Sequence, residues 1–197
     1  MSDSTCALID LENLDSMAGE LRWEEDRPLR HVGNGYPPFF DLEALAELIR
    51  ERFAPVETIK AFAHLNRFTG YEPVMRRAGV VSVDVPSVRQ SKNAADIAMA
   101  FEAARCVYTC PGVSRLVIAS HDSDFRPVAF ALKAIGRRTV GLGFQEGNWC
   151  EEWVGACDEF VWIPQPDGWG HYDEPPVEEC ELVWPGGYGY GRRGNNY

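Results

Sequence analysis

Leu116-Val117-Ile118-Ala119-Ser120-His121-Asp122-Ser123-Asp124-Phe125 is an apolar run that stops abruptly at two carboxylates two residues apart. Near-continuous apolarity marks a strand covered on both faces, as parallel strands are, so the run reads as a parallel strand ending at Ser120. Phe125 to Ile135 then carries helical spacing closed by Gly136, and Pro127 is tolerated only in a first helical turn. The two acids therefore stand where a strand hands over to a helix. Plain capping accounts for Asp124 in that position. Asp122 is harder to dismiss, because a carboxylate at the end of a buried strand must be solvated, paired or bound to a metal.

Working outward, Cys6-Ala7-Leu8-Ile9 is a second short apolar run that ends in an acid, Asp10, and Thr58 to Ala63 and Val80 to Val85 have the same look. Thr139 to Phe144 and Phe160 to Ile163 are further strand candidates. Between these runs lie helical patterns: Leu42 to Phe53 with Asp41 as N-cap, Tyr71 to Ala78 closed by Gly79, and Ala94 to Tyr108. The alternation predicts an α/β fold, a three-layer α/β/α sandwich around a mostly parallel sheet, whose sites lie beyond the carboxyl ends of the strands. Residues 19 to 40 form a long insertion rich in charge, Gly and Pro, of the kind that serves as a lid or binding loop. Residues 165 to 197 change character to an acidic, Pro/Gly-rich tail expected to be partly disordered, which leaves residues 1 to 164 as one domain.

A chain of 197 residues suits a single domain, and its 45% hydrophobic and 25% charged residues are ordinary globular usage. No apolar run approaches the roughly 18 residues needed to span a bilayer, and Met1 to Thr5 has no basic segment of a signal peptide, so a cytoplasmic location is expected. The six cysteines form no C-x-x-C pair. Buried free thiols are the expected reading, with a zinc site from Cys106, Cys110, Cys150 and Cys157 as the alternative. The net charge of −11 looks wrong for a nucleic-acid enzyme until it is divided. Residues 151 to 197 hold ten acids and two arginines, leaving 20 acids and 17 bases in the rest. The acidity belongs mostly to a part that need not touch a phosphate chain.

Two more segments carry acids to the same edge. Asp10-Leu11-Glu12-Asn13 follows the first strand, where an Asx-turn closing the strand is the structural alternative. Lys92-Asn93-Ala94-Ala95-Asp96 puts a carboxylate in the first turn of an apolar helix, whose dipole would by itself favour a negative charge. Asp10, Asp96, Asp122 and Asp124 thus come from three segments and converge on one edge of one sheet. Like charges that close repel and raise one another's pKa, which makes the cluster costly unless a divalent cation joins it. All-oxygen donors suit Mg²⁺ or Mn²⁺.

Ala7 to Leu14, Lys92 to Ile97, and Leu116 to Phe125 followed by Gly136-Arg137-Arg138-Thr139-Val140-Gly141-Leu142-Gly143 resemble, in order, the motif series of NYN-domain proteins, particularly the LabA-like branch. The resemblance spans residues 5 to 163. It implies a PIN-like fold and ribonuclease chemistry, with catalytic and metal-holding acids at Asp10, Asp96, Asp122 and Asp124 and a supporting Asn13. Lys92, Asn93, Ser120 and Ser123 are expected to face the substrate. Leu11 stands where the family commonly has Gly, and His121 where it has Gly or Ser, so His121 is expected to narrow the loop. Glu102 matches a family acid but lies about 600° around the helix from Asp96, off that face. His31, His64 and His171 have no triad partner. Trp23, Arg22, Arg27 and Arg30 suit either contact with a single strand or a lid folded on the body.

The expected activity is metal-dependent hydrolysis of RNA, single-stranded, with no membrane partner; a homodimer and a protein recruited by the tail are open. A non-catalytic RNA- or nucleotide-binding adaptor is the main alternative. A toprim-like or sugar-nucleotide enzyme using only the D-x-D is a third, and it leaves Asp10 and Asp96 without a role.

Overall fold

A computed structural model describes residues 3–21, 40–86, 94–145 and 150–163. The elements are β1 (Ser4–Asp10), α1 (Leu11–Leu21), α2 (Leu42–Arg52), β2 (Val56–Ala63), α3 (Glu72–Arg77), β3 (Val81–Asp84), α4 (Ala94–Thr109), β4 (Val113–Ala119), α5 (Arg126–Ala134), β5 (Arg138–Phe144), α6 (Glu151–Ala156) and β6 (Glu159–Ile163). The six strands make one sheet in the order β3-β2-β1-β4-β5-β6, and every neighbouring pair is parallel. The expected α/β sandwich is therefore present, with a sheet parallel throughout.

Strand alternation divides the interior into two cores. Ala7 and Ile9 of β1 join Val117 and Ala119 of β4 and Val140 and Leu142 of β5 on one side, packed by Leu14 of α1 and Leu45 and Ile49 of α2. Cys6 and Leu8 join Leu116 and Ile118 on the other, packed by Met99 and Ala103 of α4, Ala129 and Leu132 of α5 and Trp153 of α6. Local signals behave as the sequence implies. The Asp41 side chain accepts a hydrogen bond from the Ala44 N–H at 3.0 Å and caps α2. Gly79 and Gly136 take φ of 61° and 72° after α3 and α5, the left-handed backbone that a residue with a Cβ resists.

Three elements differ from expectation. β1 begins at Ser4, because the Ser4 and Thr5 N–H groups donate to Gly112 and Pro55 carbonyls; both residues are polar yet buried, so hydropathy hides them. α1 follows β1 with no intervening loop, on a stripe of Leu11, Leu14 and Ala18, and takes the first residues of the expected insertion as its last turn. α6 is six residues long, too short for periodicity to register, and is held by the buried Trp153. Residues 22–39 and 164–197, with Trp23, Arg22, Arg27, Arg30, His31 and His171, lie outside the described residues, as do Lys92 and Asn93. No described helix is long and apolar enough to cross a membrane.

Candidate metal centre

The strand order reverses direction between β1 and β4, and it is beyond the carboxyl ends of these two neighbours that an open parallel sheet leaves a crevice. Alternation along β1 puts Asp10 on the side of Cys6 and Leu8, facing the layer that contains α4 and α5. The same parity along β4 puts Ser120 with Leu116 and Ile118, on that side too. The Ser120 hydroxyl donates to Asp10 Oδ2 at 3.2 Å and accepts from the Asp122 N–H at 3.1 Å, joining the two strand ends. Ser120 is fully buried, so its hydroxyl serves the scaffold and does not reach a groove.

Asp96 enters from the first turn of α4, and Asp122 and Asp124 from the turn that joins β4 to α5. One carboxylate oxygen from each of the three lies within 4.8 Å of the others. Among the described residues this is the only set of three or more His, Cys, Asp or Glu so placed, and none of Cys106, Cys110, Cys150 and Cys157 belongs to it. No described lysine or arginine pairs with any of the three. Burial first, then the charges of Asp122 and Asp124, push the Asp96 carboxyl up to about 6. An all-oxygen donor set that repels itself and lacks a cation fits Mg²⁺ or Mn²⁺.

Asp10 is not one of the three whose oxygens meet within 4.8 Å. It is 3% exposed, and burial, opposed by the Asn13 N–H bond and assisted by the charge of Asp96, pushes its carboxyl up to about 7. The Asn13 N–H donates to Asp10 Oδ1 at 3.1 Å, so Asp10 also caps α1, which is the structural role expected of an acid closing a strand. Asp122 is likewise double, since its Oδ1 accepts from the Asp124 N–H at 2.8 Å. Asn13 uses its side-chain oxygen to accept from the His121 N–H at 2.8 Å, tying the turn after β1 to the turn after β4. Ser123 lines the groove into which the acids open.

His121 does not narrow that groove. It is not among the residues that line the groove; it is 6% exposed, stacks on Phe144 and accepts from the Phe144 N–H through Nε2 at 2.7 Å. Burial lowers its pKa and keeps the ring neutral, which the acceptor role of Nε2 requires. Glu102 is excluded from the centre by pairing: Arg105, then Lys60 at 2.8 Å, hold its carboxyl down at about 2. His64 is 4.0 Å from Asp84 and forms no triad.

Two contributors were not legible in the sequence. Glu12 Oε1 accepts from the His64 N–H at 2.7 Å, which fixes its charge near Asp10 and Asp96. Arg126, the first residue of α5, lines the groove beside Asp124. Neither belongs to a spacing pattern, because their positions follow from which strands are neighbours.

Comparison with known proteins agrees with the fold. Among curated proteins none matches the chain by sequence. A solved protein of unknown function from Vibrio parahaemolyticus, VPA0982, is similar in fold with a TM-score of 0.62 at 16% identity, covering 82% of this chain and 93% of its own. The family model of the NYN domain matches residues 4–164, the whole of the sheet and both helical layers. The chain belongs to the NYN-domain family, generally a family of PIN-like nucleases.

Proposed function

We propose that the protein is a metal-dependent ribonuclease that hydrolyses phosphodiester bonds of single-stranded RNA. The observation that carries the reading is the meeting of Asp96, Asp122 and Asp124 oxygens within 4.8 Å, with no described lysine or arginine in an ion pair with them. When bound, Mg²⁺ or Mn²⁺ supplies a water of lowered pKa and positive charge against the scissile phosphate. Asp96, Asp122 and Asp124 are the residues that hold it, and Asp10 is the fourth carboxylate, which feels the charge of Asp96. Ser120 and Asn13 keep Asp10 and the turn bearing Asp122 in register. Ser123 faces the groove that receives the chain, and Lys92 and Asn93, immediately before α4, are expected to meet its phosphates. The expected mode is cutting within the chain rather than from an end.

The test is cleavage of labelled single-stranded RNA by the purified chain in Mg²⁺, in Mn²⁺ and in EDTA. Cleavage that needs metal and falls at least about 100-fold in Asp96→Asn and Asp122→Asn is expected, several kcal/mol of charge stabilisation being lost. RNA left intact under all three conditions, or Asn variants as active as the parent, overturns the reading. Binding without cleavage favours the adaptor.

A further inference from the structure

Asp96 and Asp124 line a groove of about 520 Å³ between α4 and the start of α5. Its far wall is apolar and exposed: Ile97 is 55% and Phe130 53% accessible, while Asp96, Asp124 and Arg126 line the same space. Both helices begin at the carboxyl edge of the sheet and run away from it side by side. At 1.5 Å per residue Phe130 stands about 6 Å further along α5 than Arg126. Single apolar side chains on a surface need no explanation, but these two share a groove with a distinctive cation. The Arg126 Nε is closed off from solvent yet has no hydrogen-bond partner among the described residues, and no described acid lies within ion-pair distance of its guanidinium. A chain of net charge −11 that keeps an arginine free in an acid-lined groove has placed it for an anion other than its own.

We infer that this groove holds one nucleotide of a single strand beside the bond that is cut, with Arg126 on its phosphate and Phe130, flanked by Ile97, as the stacking face for its base. The inference rests on the nuclease reading and adds to it how the strand is gripped. A base reaches an aromatic side chain only when unstacked from its own neighbours, so the groove selects single strands over duplexes. Sequence preference is weak, because every base has a π-face.

The experiment compares the parent with Phe130→Ala, Phe130→Tyr and Arg126→Gln, using labelled single-stranded RNA and its duplex in Mg²⁺ over a series of salt concentrations. Melting curves and sedimentation are recorded alongside. Phe130→Ala is expected to raise KM about 5- to 150-fold with kcat little changed, and to erode the preference for single strands. Phe130→Tyr keeps a ring and behaves as the parent. Arg126→Gln raises KM and makes the slope of log(kcat/KM) against log[salt] shallower by about 0.7, the loss of one single-strand phosphate contact, whereas Phe130→Ala leaves that slope alone. Folded variants with parental KM and slope overturn the inference while leaving the nuclease reading intact. So does a Phe130→Ala change confined to sedimentation, which would assign the groove to a second copy of the chain. A parent that cuts no RNA removes both.

Discussion

At the scale of single residues, Asp10 combines two demands that conflict without a cation. It caps α1 and faces a buried crevice, so ionising it means holding a charge away from water. Its carboxyl titrates near 7 in the folded chain and near 3.8 when unfolded. A raised acid pKa means that the folded state binds the proton more tightly, so the contribution of Asp10 to metal-free stability is fully present below about pH 4 and is lost as pH rises through 7. Asp96 adds a smaller loss between about 4 and 6, in the same direction. The Asp10 part amounts to as much as about 4 kcal/mol at roughly 1.4 kcal/mol per pH unit. Asp10→Asn keeps an oxygen for the Asn13 N–H and removes the charge. In EDTA it is expected to melt above the parent at pH 8 and to show a flatter pH profile, measured by thermal unfolding from pH 4 to 8. A parent and variant with parallel profiles would show that Asp10 does not titrate in this range. Adding Mg²⁺ at pH 8 should narrow the gap, because a cation stabilises the ionised carboxylates that the variant has lost.

At the scale of elements, β5 and β6 pack too closely for a side chain between them. A Cβ placed on Gly141 would stand 2.4 Å from Phe160 Cδ2 and 2.9 Å from Cys157 Sγ, and one on Gly143 would meet His121 Nε2 at 3.1 Å. These glycines let the β6 ring and the histidine of the turn after β4 approach the backbone of β5. Gly141→Ala should therefore lower stability by about 1–3 kcal/mol through overpacking. Phe160→Ala in the same background should recover part of the loss, a coupling that denaturant titration of the four chains of a double-mutant cycle reads directly. Additive losses would mean that the ring moves aside freely. The run Gly141-Leu142-Gly143 matches the family's motif in sequence; its physical reason lies in the neighbouring strand and the turn after β4, not in the motif.

At the scale of the whole molecule, the two cores and six strands found among the described residues fall within residues 4–164, the span that the family model matches. Residues 165 to 197 hold six acids and two arginines. We expect a chain ending at residue 164 to unfold cooperatively within a few degrees of the full chain and to keep its response to Mg²⁺. At low salt it should cleave RNA at least as well as the full chain, because acids that repel phosphates are gone; the difference should shrink above about 0.15 M salt, where the Debye length is about 8 Å. A shortened chain that fails to fold would place part of the core beyond residue 164.

The amino-acid sequence by itself determined the layering and the edge of the site. Parallel strands buried on both faces are local apolar runs, so β1, β2, β4 and β5 could be read one at a time, and Asp10, Asp122 and Asp124 could be placed at strand ends without knowing which strands are neighbours. Asp41, Gly79 and Gly136 were legible for the same reason, because caps act within a few residues. α1 and α6 escaped, the first because acids interrupt its apolar stripe, the second because six residues show no period. What only the tertiary structure decided is everything that depends on strand order and parity. It brings Asp96, Asp122 and Asp124 within 4.8 Å of one another and buries His121 against Phe144. It pairs Glu102 with Arg105 and with Lys60 from β2, and it leaves Arg126 without an ion-pair partner among the described residues in the groove that Asp96 and Asp124 line. Distances between residues a hundred positions apart are set by packing the whole sheet, and no local pattern contains them.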